Sequence, residues 1–169
     1  MRNTDAIISY RCADENDLKV LIDLLFDDEL GSTREMNDNA SYSAYARAFT
    51  RIQACPDNDI LLAEIESEIV GMLQLTLLPS LTHRGGLRAQ IEGVRVKKGF
   101  RGKGIGRQLF NYAIESATRS GCHIVQLMTD RKRADAIAFY HSLGFSDSHL
   151  GMKLMLKPSE SPEVTRHDL

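Results

Sequence analysis

The sequence of 169 residues has no tryptophan, no run of 18 apolar residues and no large excess of either charge. A membrane-spanning helix needs about 20 apolar residues, so no membrane span is expected. Lys and Arg number 21 against 23 Asp and Glu, and this near balance argues against a general nucleic-acid binder, which is usually strongly basic. The N-terminus lacks the basic and then apolar order of a secretory signal, so we expect a cytoplasmic protein.

Cysteine and histidine are also scarce. Cys12, Cys55 and Cys122 lie far apart and are odd in number, which excludes a CxxC metal knuckle and a disulfide framework and suits a reducing compartment. His83 and His149 are lone histidines whose spacing does not indicate a metal site. No metal is therefore expected in the functional site.

The composition that remains is that of an ordinary globular protein, with 43% hydrophobic and 26% charged residues. The length suits one domain, large enough to bury about two-thirds of the unfolded surface. We predict a single domain over residues 1–156. Residues 157–169 are polar and include Pro158 and Pro162, so they are predicted to form a mobile tail.

Hydrophobic periodicity predicts the element order βα(α)βββαβαβ, in which a strand, helix and strand unit in the second half implies a parallel strand pair. Asp14 is a candidate N-cap for the first helix, and Gly93 inside a strand indicates a bulge or a close backbone approach. A hairpin turn is predicted at Ser67-Glu68. The predicted strands cover 7–11, 60–66, 69–78, 89–96 and 123–129, with short final strands at Phe145 and 152–156; helices are predicted over 14–25, 42–53 and 136–143. A further helix is predicted after the glycine-rich turn 99–106, with a stop at Gly121 and an apolar stripe of Leu109, Phe110, Ala113, Ile114 and Ala117.

The most informative stretch is 94–107, where a strand runs into a glycine-rich loop and the loop into a helix. Glycine lets a backbone come close to a ligand, and a helix N-terminus offers free N–H groups to phosphate. Residues 95–107 also hold six Lys or Arg and no acid, so the loop is predicted to bind an anion such as a diphosphate. It is not a nucleotide P-loop, because Ile105 stands where Lys is required, and it lacks the GxGxxG fingerprint.

The pattern that fits is [RQ]xxGx[GA], present as Arg101-Gly102-Lys103-Gly104-Ile105-Gly106. This resembles the pyrophosphate-binding motif of the GNAT superfamily of N-acetyltransferases, and the later run AxxFYxxxGF, at 136–145, is similar to a helix of that family. The resemblance covers about residues 7–156 and implies an α/β fold with a mixed, mostly antiparallel twisted sheet and helices on both faces. The run KRxDAxxFY at 132–140 is locally similar to the aminoalkylphosphonate N-acetyltransferases.

The resemblance implies an acetyl-coenzyme A-dependent N-acetyltransferase in which a primary amine, favoured here as part of a small molecule, attacks the thioester directly. The backbone N–H of Val96 is expected to polarise the thioester carbonyl. Glu92 is expected to act as the base through a water, and Tyr140 as the acid for the departing thiolate. The residues expected to bind the cofactor are Val94, Arg95, Val96, Arg101, Gly102, Lys103, Gly104, Ile105, Gly106 and Arg107.

The sequence leaves the acceptor open. Acidic residues before the second helix could attract a cationic amine but are expected to be a solvated surface, whereas Arg84 and Arg88 favour an anionic group; the acidic residues are Asp23, Asp27, Asp28, Glu29 and Glu35. Arg133 stands where many family members carry Asn, which puts one cofactor contact in doubt. A coenzyme A-binding sensor without turnover is the alternative function, and the resemblance leaves a homodimer open.

Overall fold

The computed structural model describes residues 7–27 and 39–156. Five strands form one sheet whose spatial order follows the chain. The first four are antiparallel to their neighbours, while the fourth and fifth are parallel. The mixed, mostly antiparallel sheet predicted from the sequence is therefore confirmed. The strands are β1 (Ile8–Cys12), β2 (Asn58–Ile65), β3 (Glu68–Pro79), β4 (Leu87–Val96) and β5 (Cys122–Leu127).

Helices cover both faces of this sheet, as predicted. On one face, residues of α1 and α2 pack on β2 and β3 around Leu21, Phe49 and Leu62. On the other face, α4 and α5 enclose a larger core that includes Leu73 and Phe110. The helices are α1 (Leu18–Phe26), α2 (Asn39–Gln53), the single turn α3 (Thr82–Gly85), α4 (Ile105–Arg119) and α5 (Ala134–Ser142), with 3-10 turns at Glu15–Asp17 and Lys98–Phe100.

Helix α4 is the main helix of the larger core. Leu109, Phe110, Ala113 and Ala117 recur at helical spacing and are fully buried against the sheet. The helix ends at the C-cap Ser120, and Gly121 follows it with φ +81°, the left-handed conformation that terminates helices at this position. The apolar stripe and the glycine stop are both as predicted.

The first helical segment begins at a capping box. The Asp14 side chain accepts a hydrogen bond from the Asn16 N–H at 2.8 Å, and the Asp14 N–H donates to the Asp17 carboxylate at 2.8 Å. These bonds satisfy N–H groups that have no partner within the 3-10 turn Glu15–Asp17. This turn leads directly into α1. The N-cap predicted at Asp14 is confirmed.

The hairpin turn between β2 and β3 lies one residue earlier than predicted. Glu66 and Ser67 form the two-residue loop, and both are left-handed, with φ of 50° and 68°. Ile65 pairs with Glu68 directly across the loop. A two-residue loop with both φ values positive matches the twist of antiparallel strands, and this requirement outweighs the preference of these residue types for negative φ.

The predicted final strands are wrong. In the described part of the chain, residues 145–156 form no strand, although they contain an alternating apolar pattern. The pattern gives the preference for an extended backbone, but a strand also needs a neighbour to complete its hydrogen bonds, and this segment has none within the described chain. The predicted tail at 157–169 and the acidic residues Asp28, Glu29 and Glu35 lie outside the described residues. Within those ranges, no helix has the length and apolar character needed to cross a membrane.

Candidate active site

A bulge in β4 marks the centre of the candidate site. Gln74 of β3 pairs with Glu92 and Met72 pairs with Arg95, so β4 uses three steps where β3 uses two. The extra residue lies next to Gly93, whose φ is +61°. A bulge bends its strand and increases the local twist. The bulge predicted at Gly93 is confirmed. It lies next to the point at which the pairing of β4 with β5 ends.

On its opposite edge, β4 pairs with β5 only along its first half. The last registered pair is Ile91 with Leu127. Among the described residues, the 92–96 part of β4 has no β5 partner on that edge, although β3 still pairs with it. The two parallel strands therefore part, and they leave an open edge of β4 beside the glycine loop.

The backbone of Val96 faces this opening. Val96 pairs with Gly71 of β3, and the Lys97 N–H donates to the Val70 carbonyl at 2.9 Å. That bond makes Val96 and Gly71 a non-hydrogen-bonded pair, so the N–H and C=O of Val96 point away from β3. The Arg101 Nε donates to the Val96 carbonyl at 2.8 Å from that side. The geometry gives Val96 the orientation expected of a group that polarises a bound carbonyl.

The glycine loop is shaped to admit a ligand close to its backbone. Gly102 and Gly104 have φ of +74° and +81°, and a β-carbon at either would meet nothing within 4 Å. Gly104 is the N-cap of α4 and supplies no side chain to bond the first N–H groups of the helix. Those groups and the helix dipole are therefore available to an anion such as a diphosphate. A β-carbon at Gly106, by contrast, would lie 3.7 Å from side-chain atoms of both Val96 and Phe139, which is ordinary van der Waals contact.

The cations of the loop are mostly fixed to the protein. Arg101 donates to the Asp27 carboxylate at 3.2 Å and to the Asp27 carbonyl at 3.0 Å. The same carboxylate accepts the Lys98 N–H at 2.9 Å, so the end of α1 is tied to the loop. The sequence predicted only that Arg101 belongs to the cofactor loop, and the structure shows that its side chain makes bonds that support that loop. The other contacts pair Lys97 with Glu68, Arg107 with Ser142, and Lys103 with the Phe100 ring.

Tyr140 lies on the core side of the opening. Its ring packs against Phe110 and Phe139, each with centroids 5.6 Å away. Burial raises the pKa of the Tyr140 phenol above its ordinary value, and the positive charges of Arg133 and Arg95 partly oppose that rise. The phenol is therefore protonated at neutral pH and can donate a proton.

Glu92 lies on the opposite face of the sheet. Its partner Gln74 shares a face with Met72, which belongs to the core beneath α1 and α2. The Glu92 side chain is exposed. Tyr140 and Glu92 thus approach the opening between β4 and β5 from opposite sides, which is the arrangement an acid and a base need when the reacting group spans that opening.

A row of polar side chains extends from Glu92 across its face of the sheet. Gln74 and Thr76 both donate to the Asn58 amide oxygen, and Gln126 donates to Gln90 at 2.7 Å. We call this row the polar strip; it consists of Asn58, Gln74, Thr76, Gln90, Glu92 and Gln126. Sequence reasoning missed it except for Glu92. The signal was present as polar residues at every second position of 88–92 and 74–76, and cross-strand register was needed to join them.

Arg88 lies on the same face, four residues before Glu92 along β4. It is half-buried, and its Nε is buried without a hydrogen-bond partner in the described residues. A buried donor of this kind favours an acceptor from outside the chain. His83 and His149 are held elsewhere, beside the His123 ring and by Ser148. Within residues 7–27 and 39–156, no three His, Cys, Asp or Glu side chains are grouped so as to hold a metal.

Comparison with solved structures shows that this fold is shared. A transcriptional regulator from Bacillus halodurans C-125 is 45% identical, with a TM-score of 0.84, and the match covers 89% of this chain and 100% of that one. A putative acetyltransferase from Agrobacterium tumefaciens strain C58 is 29% identical, with a TM-score of 0.75 and coverage of 88% and 99%. Both proteins have the architecture described above over nearly their whole length.

Sequence comparison identifies the family. An aminoalkylphosphonate N-acetyltransferase from Salmonella typhimurium strain LT2 is 32% identical over 114 residues, which cover 68% of this chain and 73% of that protein. The sequence pattern of the acetyltransferase (GNAT) family matches residues 22–145. This range contains the parted strands, the glycine loop and Tyr140. The chain therefore belongs to the acetyltransferase (GNAT) family, which confirms the fold and the enzyme class predicted from the glycine loop and the late helix.

Proposed function

We propose that this protein transfers the acetyl group of acetyl-coenzyme A to the primary amine of a small molecule, by direct attack in a ternary complex. The observation that carries the proposal is the Val96 N–H, which points into the opening between β4 and β5 immediately before the glycine loop. A donor fixed at that place can bind the thioester oxygen while the loop holds the diphosphate of the same cofactor.

The residues around the opening fit the cofactor. The backbone amides of 102–107 bind the pyrophosphate, because the two left-handed glycines leave the space before them free. The open edge at 94–96 offers backbone groups to the amide-containing arm of coenzyme A, much as an edge strand accepts a further strand. Ile105 and Gly106 act through their N–H groups at the start of α4. Arg101 and Arg107 stabilise the loop and its contact with α5.

The chemistry divides among three groups. The Glu92 carboxylate accepts a proton from the ammonium through a water, and the freed amine forms a bond to the carbonyl carbon. The Val96 N–H stabilises the negative charge that develops on the carbonyl oxygen. The carbon–sulfur bond then breaks, and Tyr140 gives its proton to the departing thiolate. The nitrogen loses its second proton, which returns through water to Tyr140, and Glu92 releases the first proton to solvent, so that a neutral amide and a thiol leave. The raised pKa of Tyr140 supports this role, since the phenol keeps its proton at neutral pH.

The acceptor site lies on the face that carries the polar strip. We propose that the acceptor bears an anionic group besides its amine, because Arg88 brings an unpaired buried donor to that face. The relative from Salmonella typhimurium is named for an aminoalkylphosphonate, a substrate class with both an amine and an anion. The polar strip supplies uncharged donors and acceptors for the rest of the molecule.

The experiment that tests this function measures thiol release from acetyl-coenzyme A against a panel of amines. The panel contains aminoalkylphosphonates, amino sugar phosphates, polyamines, aminoglycosides and lysine peptides. We expect turnover with an anionic amine, and turnover with polyamines alone would contradict the role of Arg88. Arg88→Gln is expected to raise KM for the anionic amine by about tenfold and to leave KM for acetyl-coenzyme A unchanged, which corresponds to the loss of one charge-assisted hydrogen bond.

The base role predicts that Glu92→Gln lowers kcat/KM for the amine by about 100-fold at neutral pH. The affinity for coenzyme A in calorimetry is expected to stay the same, because Glu92 lies on the other face from the cofactor loop. Glu66→Gln, at the tip of the β2–β3 hairpin, is the matched control and is expected to keep full activity. Equal rates for the two variants would contradict the base role.

A regulatory function that uses the same ligand is the second candidate. One observation favours it: the solved protein at 45% identity is called a transcriptional regulator. In the regulatory function acetyl-coenzyme A would bind without being consumed, whereas in the enzyme it is a substrate. Binding without turnover on the whole panel would favour the regulatory function, whereas turnover that Glu92→Gln abolishes would favour the enzyme.

A further inference from the structure

Strand β4 carries three polar side chains in one row on the face proposed to bind the acceptor. Ala89 and Ile91 point into the larger core. The residues that alternate with them therefore lie on the other face, in the order Arg88, Gln90 and Glu92. Arg88 and Glu92 are four residues apart, which is about 13 Å along an extended strand. The unpaired donor and the proposed base thus lie at opposite ends of the row.

The Arg88 end of the row has apolar neighbours on both sides. The residues directly opposite Arg88 are Leu78 of β3 and Ile124 of β5, and neither side chain can accept a hydrogen bond. This explains why the Arg88 Nε is buried without a partner among residues 7–27 and 39–156. A guanidinium with apolar neighbours interacts strongly with an oxyanion, because little water competes for the charge.

Gln90 lies halfway between the two ends. Its amide oxygen accepts a hydrogen bond from the Gln126 amide nitrogen at 2.7 Å. Within the described chain, this leaves the Gln90 amide nitrogen and the Gln126 amide oxygen without a partner. Exchanging oxygen and nitrogen in both amides again leaves one donor beside one acceptor. A hydroxyl group both donates and accepts, so it matches this pair.

Gln90 also sets the shortest distance between the anion and the amine of an acceptor. Because its side chain is bonded to Gln126, the Arg88 guanidinium cannot lie along the strand beyond it. The two groups of the acceptor are therefore separated by at least the distance from Gln90 to Glu92, about 7 Å, and by at most about 13 Å. Three bonds of an extended chain span about 3.3–3.6 Å, so about six to ten bonds cover this range.

We infer that the acceptor is an elongated molecule with a primary amine at one end, an oxyanion at the other and a hydroxyl group between them. The oxyanion binds Arg88, the hydroxyl group binds the Gln90–Gln126 pair, and the amine lies at the opening beside Glu92. This inference rests on the proposed function and extends it from the charge of the acceptor to its length. Compounds with only about two carbons between the amine and the anion are too short to reach both ends.

The length is tested by thiol release from acetyl-coenzyme A with ω-aminoalkyl phosphates of two to eight methylene groups. We expect kcat/KM to rise by at least about tenfold from two methylene groups to a maximum at four or more, since only the longer compounds also bind Arg88. The uncharged ω-amino alcohols of the same lengths are the control, and their kcat/KM is expected to vary by less than about threefold.

Two variants show whether Arg88 causes this length dependence. Arg88→Gln is expected to give the phosphates the flat profile of the alcohols. Arg119→Gln is the matched control, because it removes the same charge from an exposed position on α4, and it is expected to keep the rise. A maximum at two methylene groups would overturn the inference, and so would a rise that survives in Arg88→Gln.

Two six-carbon amino phosphates, with and without a hydroxyl group on a middle carbon, test the Gln90–Gln126 pair. The hydroxylated compound is expected to have a kcat/KM about fivefold higher in wild type, and Gln126→Leu is expected to remove the difference. Equal values in wild type would contradict the place given to the hydroxyl group. Thiol release with the wrong lengths overturns the inference alone, whereas no thiol release with any amine overturns the proposed function as well.

Discussion

Asp17 shows how one buried acidic side chain connects three elements. Its carboxylate accepts two hydrogen bonds from the Arg11 guanidinium, at 2.6 and 2.9 Å, and the Arg11 side chain also reaches Glu64 of β2. These contacts fix the path from β1 through the capping box into α1. The hydrogen bond from Arg11, reinforced by the backbone N–H of Asp14, holds the pKa of Asp17 below its ordinary value.

Asp17→Asn is predicted to lower the free energy of unfolding by about 2 kcal/mol at pH 7, because the charge-assisted bonds to Arg11 are lost. A depressed pKa stabilises the fold above the unfolded value near 3.9 and loses that contribution as pH falls toward the folded value. The difference between wild type and variant should therefore shrink below about pH 4. Urea unfolding of wild type and Asp17→Asn at pH 7 and below about pH 4 measures this difference in the free energy of unfolding.

Asp23→Asn is the control for that measurement. Asp23 is exposed on α1, and its ion pair with Lys19 is 3.4 Å long with both side chains largely in water. Exposed pairs of this kind contribute less than about 1 kcal/mol. An effect as large as that of Asp17→Asn would contradict the assignment of Asp17 as the buried anchor.

The proposed role of Tyr140 as the proton donor can be tested through the pH dependence of kcat. Burial raises the pKa of Tyr140, so the proton-donating form persists up to and beyond the ordinary value near 10. We predict that kcat falls only above about pH 10 as the phenol ionises, and that Tyr140→Phe lowers kcat by about 100-fold and removes this alkaline decline. KM for acetyl-coenzyme A should not change. A kcat of Tyr140→Phe equal to that of wild type across the pH range would contradict the role of Tyr140 as the acid. Tyr112→Phe is the control, because the Tyr112 ring stacks on Tyr10, and it is expected to keep the wild-type kcat.

At the scale of elements, the turn from the loop into α4 depends on backbone conformation. A β-carbon at Gly104 meets no atom within 4 Å, so the reason for glycine there is its φ of +81°. Gly104→Ala is predicted to lower the free energy of unfolding by about 1–2 kcal/mol, the cost of a left-handed non-glycine residue. It should also weaken coenzyme A binding in calorimetry, because the added carbon occupies the space in front of the N–H groups.

Gly99→Ala is the matched control in the same loop. Gly99 also has free space around its α-carbon, but it has no positive φ. Its substitution is expected to change stability by less than about 0.5 kcal/mol. Equal effects of the two substitutions on the free energy of unfolding would contradict the assignment of the left-handed φ as the reason for glycine at position 104.

The elements also show what the sequence alone can predict. The capping residue Asp14, the stripe of α4 and the stop at Gly121 depend on neighbours within a few residues, so local pattern was enough for all three. The polar strip and the role of Arg101 depend on which strands and helix ends meet, and no local pattern contains that information. The final strands were predicted wrongly for the same reason. The alternating apolar pattern at 152–156 favours an extended backbone, but it does not show whether a neighbouring strand is present to pair with it.

At the scale of the whole molecule, cofactor binding should stabilise the entire domain. The loop and β4 belong to the same core as α4, so unfolding of that core destroys the binding site. Coenzyme A at 100 times its dissociation constant is predicted to add about 2.7 kcal/mol to the free energy of unfolding. In a thermal melt this corresponds to a rise in Tm of about 5–10 °C for a chain of this size.

Adenosine at the same concentration is the control, since it lacks the diphosphate that the loop is proposed to hold, and it is expected to leave Tm unchanged. Gly104→Val should remove most of the rise with coenzyme A. A rise of the same size with adenosine would place the binding energy outside the loop.

The bulge at Gly93 has a further consequence for the whole protein. Across the bulge, β4 has one residue more than the facing part of β3. This extra residue lies at the place where β4 and β5 separate. Ile91, Val94 and Val96 all belong to the same core despite the odd step between the first two. A β4 without Gly93 would keep its apolar side chains on the core face and straighten toward β5. The offset of one residue between neighbouring strands therefore opens the gap that is proposed to admit the cofactor. Deletion of Gly93 is predicted to give a stable, folded protein that no longer binds coenzyme A.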